Sequence, residues 1–412
     1  MTKYITRNCQ KRLAYAGIAT MLISALNYAP TLANMRREAM HPCRTIASVH
    51  IKTPVEIDSG MMIADEPTGH VFILLRSSYV DASSARHTEG SIYTLDSGRL
   101  TVVNRQPLNF YPATMVVDSY TQRAFVAAST AFGIDTATNM VHIVDLHTGL
   151  VIGAKTVGKY MTDVAVDGRT NRVFMPDTDN NSVRVLDART GFLLRTIKTG
   201  SHPIRVVVAE QTNRVFVINQ GDESHLGMVS VLDARSGAVL GTAGTVTGSD
   251  TDAVFAIDDR TRRVFSVADH VVTVRDATSG AIVRTITVPG GATSALAVST
   301  TTNRVFVVNS DHGTVSMLDA QSGTVLRTVV VGPNPTDAVI YERRHLALVV
   351  NQSNSSHPST MSVLDAMTGQ VKGAVAIGVR PLAIAVSPKM GRAFVVGGTS
   401  GTISVLGYCV SS

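Results

Sequence analysis

A motif of about 40 to 50 residues recurs along nearly the whole chain, and this repetition constrains the fold more than any other feature. In residues 302–331, β-branched runs are separated by polar or glycine-containing turns, a pattern typical of short consecutive strands. Similar sequences recur at 171–199, 213–245, 263–288 and 345–377. Each unit of such an array must bury its apolar faces against its neighbours, so we expect one folded domain.

Each full unit contains four predicted strands, which in the third unit cover 162–167, 172–175, 183–188 and 193–198. A large apolar residue in the second strand marks eight units: Phe72, Phe125, Phe174, Phe216, Phe265, Phe306, Leu348 and Phe394. An Asp closes the third strand of seven units, with Gly407 at the eighth position: Asp96, Asp145, Asp187, Asp233, Asp276, Asp319 and Asp365. Because this Asp recurs beside a tight turn, we interpret it as a turn-stabilising acceptor. Four short antiparallel strands per unit predict an all-β fold, a single β-propeller with eight blades, and seven blades as the alternative.

The two ends of the chain complement each other. The last unit stops after its third strand at 402–406, whereas Arg44, Thr45 and Ile46 repeat the fourth-strand text of 195–197. We therefore expect the N-terminal strand to complete the last blade and close the ring, which removes two open sheet edges.

Two of the three cysteines, Cys43 and Cys409, flank this proposed closure. The matching positions of the third unit lie on opposite sides of one tight turn, which is compatible with the Cα separation of roughly 4.4 to 6.8 Å in a disulfide. An exported protein permits such a bond, so we predict a Cys43–Cys409 disulfide, with two free thiols as the alternative.

The first 33 residues have the pattern of a signal peptide. They contain four Lys or Arg and no acidic residue, an apolar run at 13–26, and Ala33 at the expected cleavage position. The alternative is an uncleaved anchor, but this run is shorter than the roughly 20 residues of a membrane span. We assign 1–33 to the signal peptide, 34–43 to a short N-terminal segment and 44–410 to the propeller. No transmembrane segment is predicted after cleavage, and we expect an exported bacterial protein, periplasmic or extracellular.

Charge and composition argue against nucleic acid as a partner. The formal net charge is +6, but without the four positive charges of the first 33 residues it falls to about +2. Apolar residues make up 44% of the chain, charged residues 17% and aromatic residues 5%. These values fit largely buried strands and leave little basic or stacking surface for a polyanion.

The second-strand text at 306–309, Phe-Val-Val-Asn, resembles the bacterial YVTN β-propeller repeat, with Phe in place of Tyr and an aliphatic residue in place of Thr. The strands at 229–234 and 361–366, the Ser-Gly or Thr-Gly turns and the Arg-Thr-Ile strands belong to the same pattern. The resemblance covers most of 44–406 and implies an exported propeller, commonly with seven blades and often without an assigned activity. The absence of Trp disfavours WD40 repeats.

Spacing within the units indicates where loops are inserted. The distance from the second-strand marker to the third-strand Asp is 13 residues for Phe174 to Asp187, but 24 for Phe72 to Asp96. Units 1, 2, 4 and 7 all have long spacings. In a propeller these loops share one face with the connections between blades, so their concentration in one loop class indicates a binding face.

Polar residues of these two loop classes, together with the Asn that ends the second strand, are the candidate ligand-binding residues: His202, His225, His312, His357, Asp163, Asp252, Asp337, Asn219, Asn309 and Asn351. His and carboxylates around a channel mouth can ligate a divalent metal or perform acid-base chemistry, although ordinary loop composition also explains them. The Asn residues either line the upper channel or cap loops. The stretch 177–181 begins like a calcium loop but lacks its Gly and Glu. We predict no cofactor, with a divalent metal at the channel mouth as the open possibility, and assign no catalytic residue.

No GxSxG, HExxH, CxxCH, P-loop or GxGxxG signature of an enzyme occurs in a suitable context. The sequence therefore favours a monomeric binding or interaction scaffold with a protein or small-molecule ligand on the loop face. The alternative is a propeller enzyme, a lyase, lactonase or quinoprotein-like oxidoreductase. A third hypothesis is binding of single-stranded nucleic acid, against which charge and aromatic content count.

Overall fold

The computed structural model describes residues 44–51, 57–80, 86–108, 110–128, 140–158, 161, 163–222, 227–246, 254–268, 270–352, 358–398 and 401–407. Five residues singled out above lie outside these ranges: Cys43, Cys409, His225, His357 and Asp252. The predicted signal peptide also lies outside them.

In this part of the chain, 32 strands form eight four-stranded antiparallel sheets, the blades of a propeller. Strand β1 (Arg44–His50) belongs to blade 8. Blade 1 contains β2 (Ser59–Asp65), β3 (His70–Val80), β4 (Arg86–Asp96) and β5 (Thr101–Leu108). Blade 2 contains β6 (Pro112–Asp118), β7 (Arg123–Ala128), β8 (Met140–Asp145) and β9 (Val151–Thr156). Blades 3 and 4 contain β10 (Ala165–Asp167), β11 (Arg172–Asp177), β12 (Ser182–Asp187), β13 (Leu193–Lys198), and β14 (Pro203–Ala209), β15 (Arg214–Asn219), β16 (Gly227–Asp233), β17 (Val239–Val246). Blades 5 and 6 contain β18 (Val254–Asp258), β19 (Arg263–Ala268), β20 (Val271–Asp276), β21 (Ile282–Thr287), and β22 (Thr293–Ser299), β23 (Arg304–Asn309), β24 (Thr314–Asp319), β25 (Val325–Val330). Blades 7 and 8 contain β26 (Pro335–Tyr341), β27 (Leu346–Asn351), β28 (Thr360–Asp365), β29 (Val371–Ala376), and β30 (Pro381–Ser387), β31 (Arg392–Gly397), β32 (Thr402–Gly407). Three 3-10 turns also occur among these residues: Thr178–Asn180, Glu210–Thr212 and Glu342–Arg344.

The N-terminal strand closes the ring as the sequence predicts. Strand β1 pairs antiparallel with β32, from Arg44 opposite Gly407 to His50 opposite Thr402. A register shift between Thr45 and residue 47 matches the shift that every other blade shows between its third and fourth strands. Strand β1 is therefore a true fourth strand, and the first, most divergent unit is also a complete blade. The blade number is eight, not seven.

The apolar core lies between the blades. Eight clusters of buried apolar side chains occur in the described residues, each shared by two neighbouring blades, and the cluster between blades 8 and 1 completes the circle. The marker residues of the second strands are all fully buried, from Phe72 to Phe394. Each blade thus buries both faces against its neighbours, which is why every unit carries the same apolar pattern.

The recurring Asp at the end of the third strand is a turn acceptor, as its regular spacing predicts. In blade 6, Asp319 Oδ1 accepts the main-chain N–H groups of Gln321 and Ser322 at 3.1 and 2.8 Å, and Oδ2 pairs with Arg304 Nη1 at 3.0 Å. The same Oδ1 contacts recur in all seven blades that have this Asp. Burial alone would raise the pKa of Asp319, but these hydrogen bonds and Arg304 outweigh it and lower the pKa.

Candidate functional site

The propeller has two different faces. One, the loop face, carries the connections from second to third strands and from each fourth strand to the next blade. The other, the turn face, carries the short connections from first to second strands (66–69, 119–122, 168–171, 210–213, 259–262, 300–303, 342–345, 388–391) and from third to fourth strands (97–100, 146–150, 188–192, 234–238, 277–281, 320–324, 366–370). The candidate ligand-binding residues of the sequence belong to the loop face.

Among the described residues, the paired second and third strands of blade 1 extend further at the loop face than those of the other blades. Strands β3 and β4 have 11 residues each, whereas the second and third strands of the other blades have six or seven. Their pairing continues from Leu75 opposite Ser91 to Val80 opposite Arg86. The long spacing in the first unit therefore reflects an extended β-ladder and not only a longer loop. Main-chain hydrogen bonds between the two strands hold this extension together.

Arg76 fastens the base of this hairpin to blade 2. Its buried guanidinium donates from Nη1 to the carbonyl oxygens of Pro112 and Ala113 at 3.5 and 3.1 Å, at the start of the first strand of blade 2. The guanidinium carbon also lies 5.8 Å from the ring centroid of Tyr111, a cation–π distance. Burial lowers the pKa of Arg76, while Tyr111 and Asp58 act in the opposite direction. Nothing in the repeat pattern identified this residue, because the other blades have no Arg at its position.

Asp163 joins blade 3 to blade 4 through main-chain contacts. Its Oδ1 accepts the N–H of Val164 and its Oδ2 accepts the N–H of Val206 in the neighbouring first strand, both at 3.0 Å. Burial raises the pKa of Asp163, and Arg205 and the two amide contacts oppose this shift.

Asp337 repeats the arrangement four blades away. Its carboxylate accepts the N–H of Ala338 at 2.8 Å and that of Ile384 in blade 8 at 3.3 Å. The sequence placed Asp337 in a loop, but it lies inside β26, because that strand begins at Pro335. Burial raises the pKa of Asp337 to about 7, against the effect of the two amides. Such a carboxyl can exchange a proton near neutral pH, although both oxygens are held by main-chain donors.

The two described candidate histidines, His202 and His312, lie in different surroundings. His202 is exposed and has a left-handed backbone (φ 51°), held by the N–H of Gln220, which donates to its carbonyl oxygen at 2.8 Å. His312 is also exposed, and its Nδ1 accepts the N–H of Gly291 at 3.2 Å. No group of three or more metal-ligating side chains comes together among the described residues, and these two histidines belong to separate blades.

The three Asn side chains that end second strands are buried within their own blades. Asn219 donates to the carbonyl oxygens of residues 217 and 228 and to Ser230 Oγ, at 2.9 to 3.2 Å. Asn351 donates to the hydroxyls of Thr360 and Ser362, and Asn309 accepts the N–H of His312. These contacts are those of caps at the strand ends.

The calcium-like stretch uses its first carboxylate internally. Asp177 is fully buried, pairs with Arg184 Nε at 2.8 Å, and accepts both Nδ2 contacts of Asn180 at 2.9 and 3.0 Å. The segment then forms the 3-10 turn Thr178–Asn180. Arg184 and Asn180 thus occupy the two carboxylate oxygens of Asp177, the residue at the first position of the calcium-like stretch.

Sequence reasoning also missed a set of carboxylates on the turn face that link adjacent blades. Glu210 Oε1 accepts the N–H of Gly168 at 2.9 Å, and burial raises the pKa of Glu210 to about 7. Glu342 accepts the N–H of Thr300 at 2.7 Å. Burial likewise raises the pKa of Asp259 to about 6. Their common position directly after the first strand was visible in the repeat alignment, but its contacts across blades were not.

Comparisons with known proteins are informative only at the level of fold. No protein-family model matches the sequence, and no curated protein matches it. The structure is similar to the C-terminal WD40 domain of Sif2, with a TM-score of 0.63 and 9% identity over 90% of this chain and 100% of that chain.

Two other solved structures show the same likeness. BamB from Moraxella catarrhalis gives a TM-score of 0.59 and 13% identity over 89% of this chain and 100% of that chain. The computationally designed protein Ika8 gives a TM-score of 0.58 and 17% identity over 82% of this chain and 93% of that chain. The chain is thus an eight-bladed β-propeller, and the similarity to a WD40 domain concerns architecture and not the repeat sequence. In the described ranges, no helix is long and apolar enough to cross a bilayer.

Proposed function

We propose that this protein is an exported interaction scaffold of the YVTN-repeat type, which binds a protein or small-molecule ligand on its loop face. The observation that carries this proposal is the extended strand pair of blade 1, which is longer than the corresponding described strands of the other blades. Arg76 anchors it through main-chain contacts to blade 2. A strand pair held by main-chain hydrogen bonds is a suitable recognition element, because a preorganised element loses little conformational entropy when it binds.

The chemistry of the described residues supports a scaffold better than an enzyme. Asp163 and Asp337 have pKa values raised by burial, but their oxygens are occupied by main-chain N–H groups of two blades. Both carboxylates therefore have a structural role, in which they join neighbouring blades. Export is supported by the signal-peptide pattern of residues 1–33, which the four positive charges and the following apolar run define.

The test is a comparison of three forms of the protein on peptide and glycan arrays and in a thermal-shift panel of metals, sugars, lactones and quinones. The first form is the wild type, and in the second Asn-Gly replaces residues 77–89 and closes the hairpin with a two-residue turn. The third, Arg189→Ser/Arg235→Ser, changes two exposed residues of the turn face and is the control.

We expect at least one class of probe to bind the wild type and the control but not the shortened variant. The proposal is wrong if the shortened variant retains every probe that the wild type binds, or if the wild type binds none. Turnover of a lactone or of a quinone-linked substrate by the wild type would instead support the enzyme hypothesis.

A further inference from the structure

The two faces of the propeller differ in their exposed charges, apart from the exposed Arg and Lys residues that lie on the fourth strands. On the turn face, nine Arg or Lys side chains are exposed: Arg99, Arg169, Arg189, Arg235, Arg260, Arg262, Arg343, Arg344 and Lys389. The turns named above are all described, and none of the Asp or Glu side chains within them is exposed. On the loop face the described exposed carboxylates are Asp179, Asp222 and Asp311. The tips of the turn face are therefore cationic although the formal charge of the whole protein is small.

The acidic residues of the turn face are less exposed than these cations, and main-chain and hydroxyl donors hold their carboxylates against the turns. Glu342 accepts the N–H of Thr300 at 2.7 Å and the hydroxyl of Ser299 at 2.9 Å. Glu66 accepts the N–H of Lys389 at 2.8 Å. The Asp residues of the turns between third and fourth strands accept N–H groups of their own turns, as described above. Among the nine exposed cations, no ion pair within 4.0 Å occurs in the described part of the chain.

The cations of blades 5, 7 and 8 lie on turns that are connected through the turns of blade 6, which has no cation of its own there. Arg260 donates from Nε to the carbonyl oxygen of Thr300 in blade 6 at 2.6 Å. Thr300 in turn donates its N–H to Glu342 of blade 7, beside Arg343 and Arg344. These contacts place the cationic side chains on one continuous surface.

The surface continues across the closure of the ring. Tyr341 Oη of blade 7 donates to the carbonyl oxygen of Pro388, which directly precedes Lys389 of blade 8, at 3.4 Å. Met390 Cε lies 3.8 Å from the place that a Cβ would occupy at Gly98 of blade 1, next to Arg99. We call this surface, from Arg260 to Arg99 through blades 5, 6, 7, 8 and 1, the cationic arc.

Exposed apolar side chains accompany the cations. Met390 and Met367 lie on turns of blades 8 and 7, and Tyr120, Leu150 and Phe192 lie on turns of blades 2 and 3. Arg and Lys mixed with Met and aromatic side chains at one surface match the interface of an anionic bilayer, where cations meet phosphate and apolar tips enter the acyl boundary. A nucleic acid would favour aromatic platforms beside the cations, and the arc itself has none.

We propose that the turn face, through the cationic arc, docks the protein on a bilayer that contains anionic phospholipids. Arg guanidinium groups suit this role because they form paired hydrogen bonds with phosphate oxygens. The loop face would then point away from the bilayer, because the two faces lie at opposite ends of the strands. This proposal concerns a different face from the ligand site proposed above, so either one can fail without the other.

The experiment is co-sedimentation of the full chain, recovered after export, with phosphatidylcholine vesicles and with vesicles that contain about 30 mol % phosphatidylglycerol. The test variant is Arg262→Glu/Arg343→Glu/Arg344→Glu. The matched control, Arg195→Glu/Arg284→Glu/Arg327→Glu, makes the same change in net charge at exposed, equivalent positions of the fourth strands. Melting temperatures of the three forms are measured in parallel.

We expect the wild type to prefer the anionic vesicles, the turn-face variant to lose about tenfold or more in partitioning, and the control to lose less than about twofold. Binding of the wild type should also fall steeply between about 0.05 and 0.5 M salt, a measurement that needs no variant. Equal binding of the wild type to both vesicles, or equal losses in the two variants, would overturn the proposal. Retention on immobilised polyglutamate but not on vesicles would also overturn it, in favour of an acidic protein partner.

Discussion

The Oδ2 atom of Asp163 in blade 3 accepts the main-chain N–H of Val206 in blade 4 at 3.0 Å. The first strand of a blade is an edge strand on its channel side, so its outward N–H groups need partners from elsewhere. Asp337 supplies the same contact to Ile384 on the opposite side of the ring. Buried carboxylates therefore join neighbouring blades at two equivalent places, where the sequence had suggested ligand binding.

Asp337→Asn should alter the pH dependence of stability. The pKa of Asp337 in the folded protein is about 7, above the usual value of about 3.9 in an unfolded chain. Its contribution is therefore greatest below about pH 4 and is lost as the pH rises through about 7. The Asn variant imitates the protonated carboxyl. Relative to the wild type, its free energy of unfolding should rise by about 1 to 2 kcal/mol between about pH 5 and pH 8. This value is lower than the full pKa shift implies, because Asp337 is partly exposed and solvent screens its charge.

Urea denaturation at the two pH values measures this effect. Asp179→Asn, at an exposed carboxylate, is the control and should keep the pH dependence of the wild type. If Asp337→Asn and the control show the same pH dependence, Asp337 is not the titrating group.

Asp319→Ala should destabilise the protein at neutral pH and much less in acid. The variant loses the acceptor of two turn amides and of Arg304, at a cost of about 1 to 3 kcal/mol. Because the pKa of Asp319 is lowered in the folded protein, its contribution is present above about pH 4 and is lost as the pH falls through the folded pKa. Guanidinium denaturation should show that the difference in unfolding free energy between Asp319→Ala and the wild type is smaller at about pH 3 than at about pH 7.

Gln321→Ala is the control for Asp319→Ala, since Gln321 contributes only its main-chain N–H to the turn. It should change stability by less than about 0.5 kcal/mol. A difference between Asp319→Ala and the wild type that is equally large at both pH values would contradict the assignment of a charged acceptor.

Gly332→Ala should cost about 1 to 3 kcal/mol, because a Cβ there would lie 2.8 Å from Cγ and Nδ2 of the buried Asn351. The matched control is Gly373→Ala in a fourth strand, where no atom lies within 4 Å of the added carbon and stability should be unchanged or slightly higher. Thermal unfolding of both variants, and of Gly332→Ala/Asn351→Ala, measures the clash. The double variant should recover part of the loss relative to Asn351→Ala alone, and strict additivity would argue against the contact.

Cys43 and Cys409 should be joined in the exported protein. Both lie outside the described residues, but Arg44 and Gly407, which pair across the closure, are one and two residues away from them in sequence. Non-reducing peptide mapping should find the linked peptides, and reduction should lower the melting temperature, with a loss of about 2 to 5 kcal/mol. Free thiols at both positions would contradict the prediction and leave strand pairing alone to close the ring.

Much of the architecture could be predicted because it depends on patterns that repeat along the chain. The markers from Phe72 to Phe394 recur because each blade buries the same position against its neighbour. The match between residues 44–46 and the fourth strands predicted the closure, and β1 confirms it. The long spacing from Phe72 to Asp96 was recognised, but the sequence alone did not show that most of it continues the β-ladder.

The candidate site was less predictable from the sequence. Asp163 and Asp337 were chosen as polar residues of a channel mouth, and their contacts show them bonded between blades. Arg76 was missed because the repeat has no counterpart for it. The sequence alone also did not show that the acidic side chains of the turn face are turned inward whereas nine of its basic side chains are exposed.

The sequence by itself determined the strand pattern, the number of blades and the strand that closes the ring, since these follow from apolar periodicity and turn chemistry within each unit. Only the tertiary structure decided which polar groups meet. Asp163 contacts a residue 43 positions away in the sequence, and Asp337 contacts one 47 positions away, each in the neighbouring blade. Such contacts depend on how two sheets pack against each other, and the local pattern of a single unit does not contain that information.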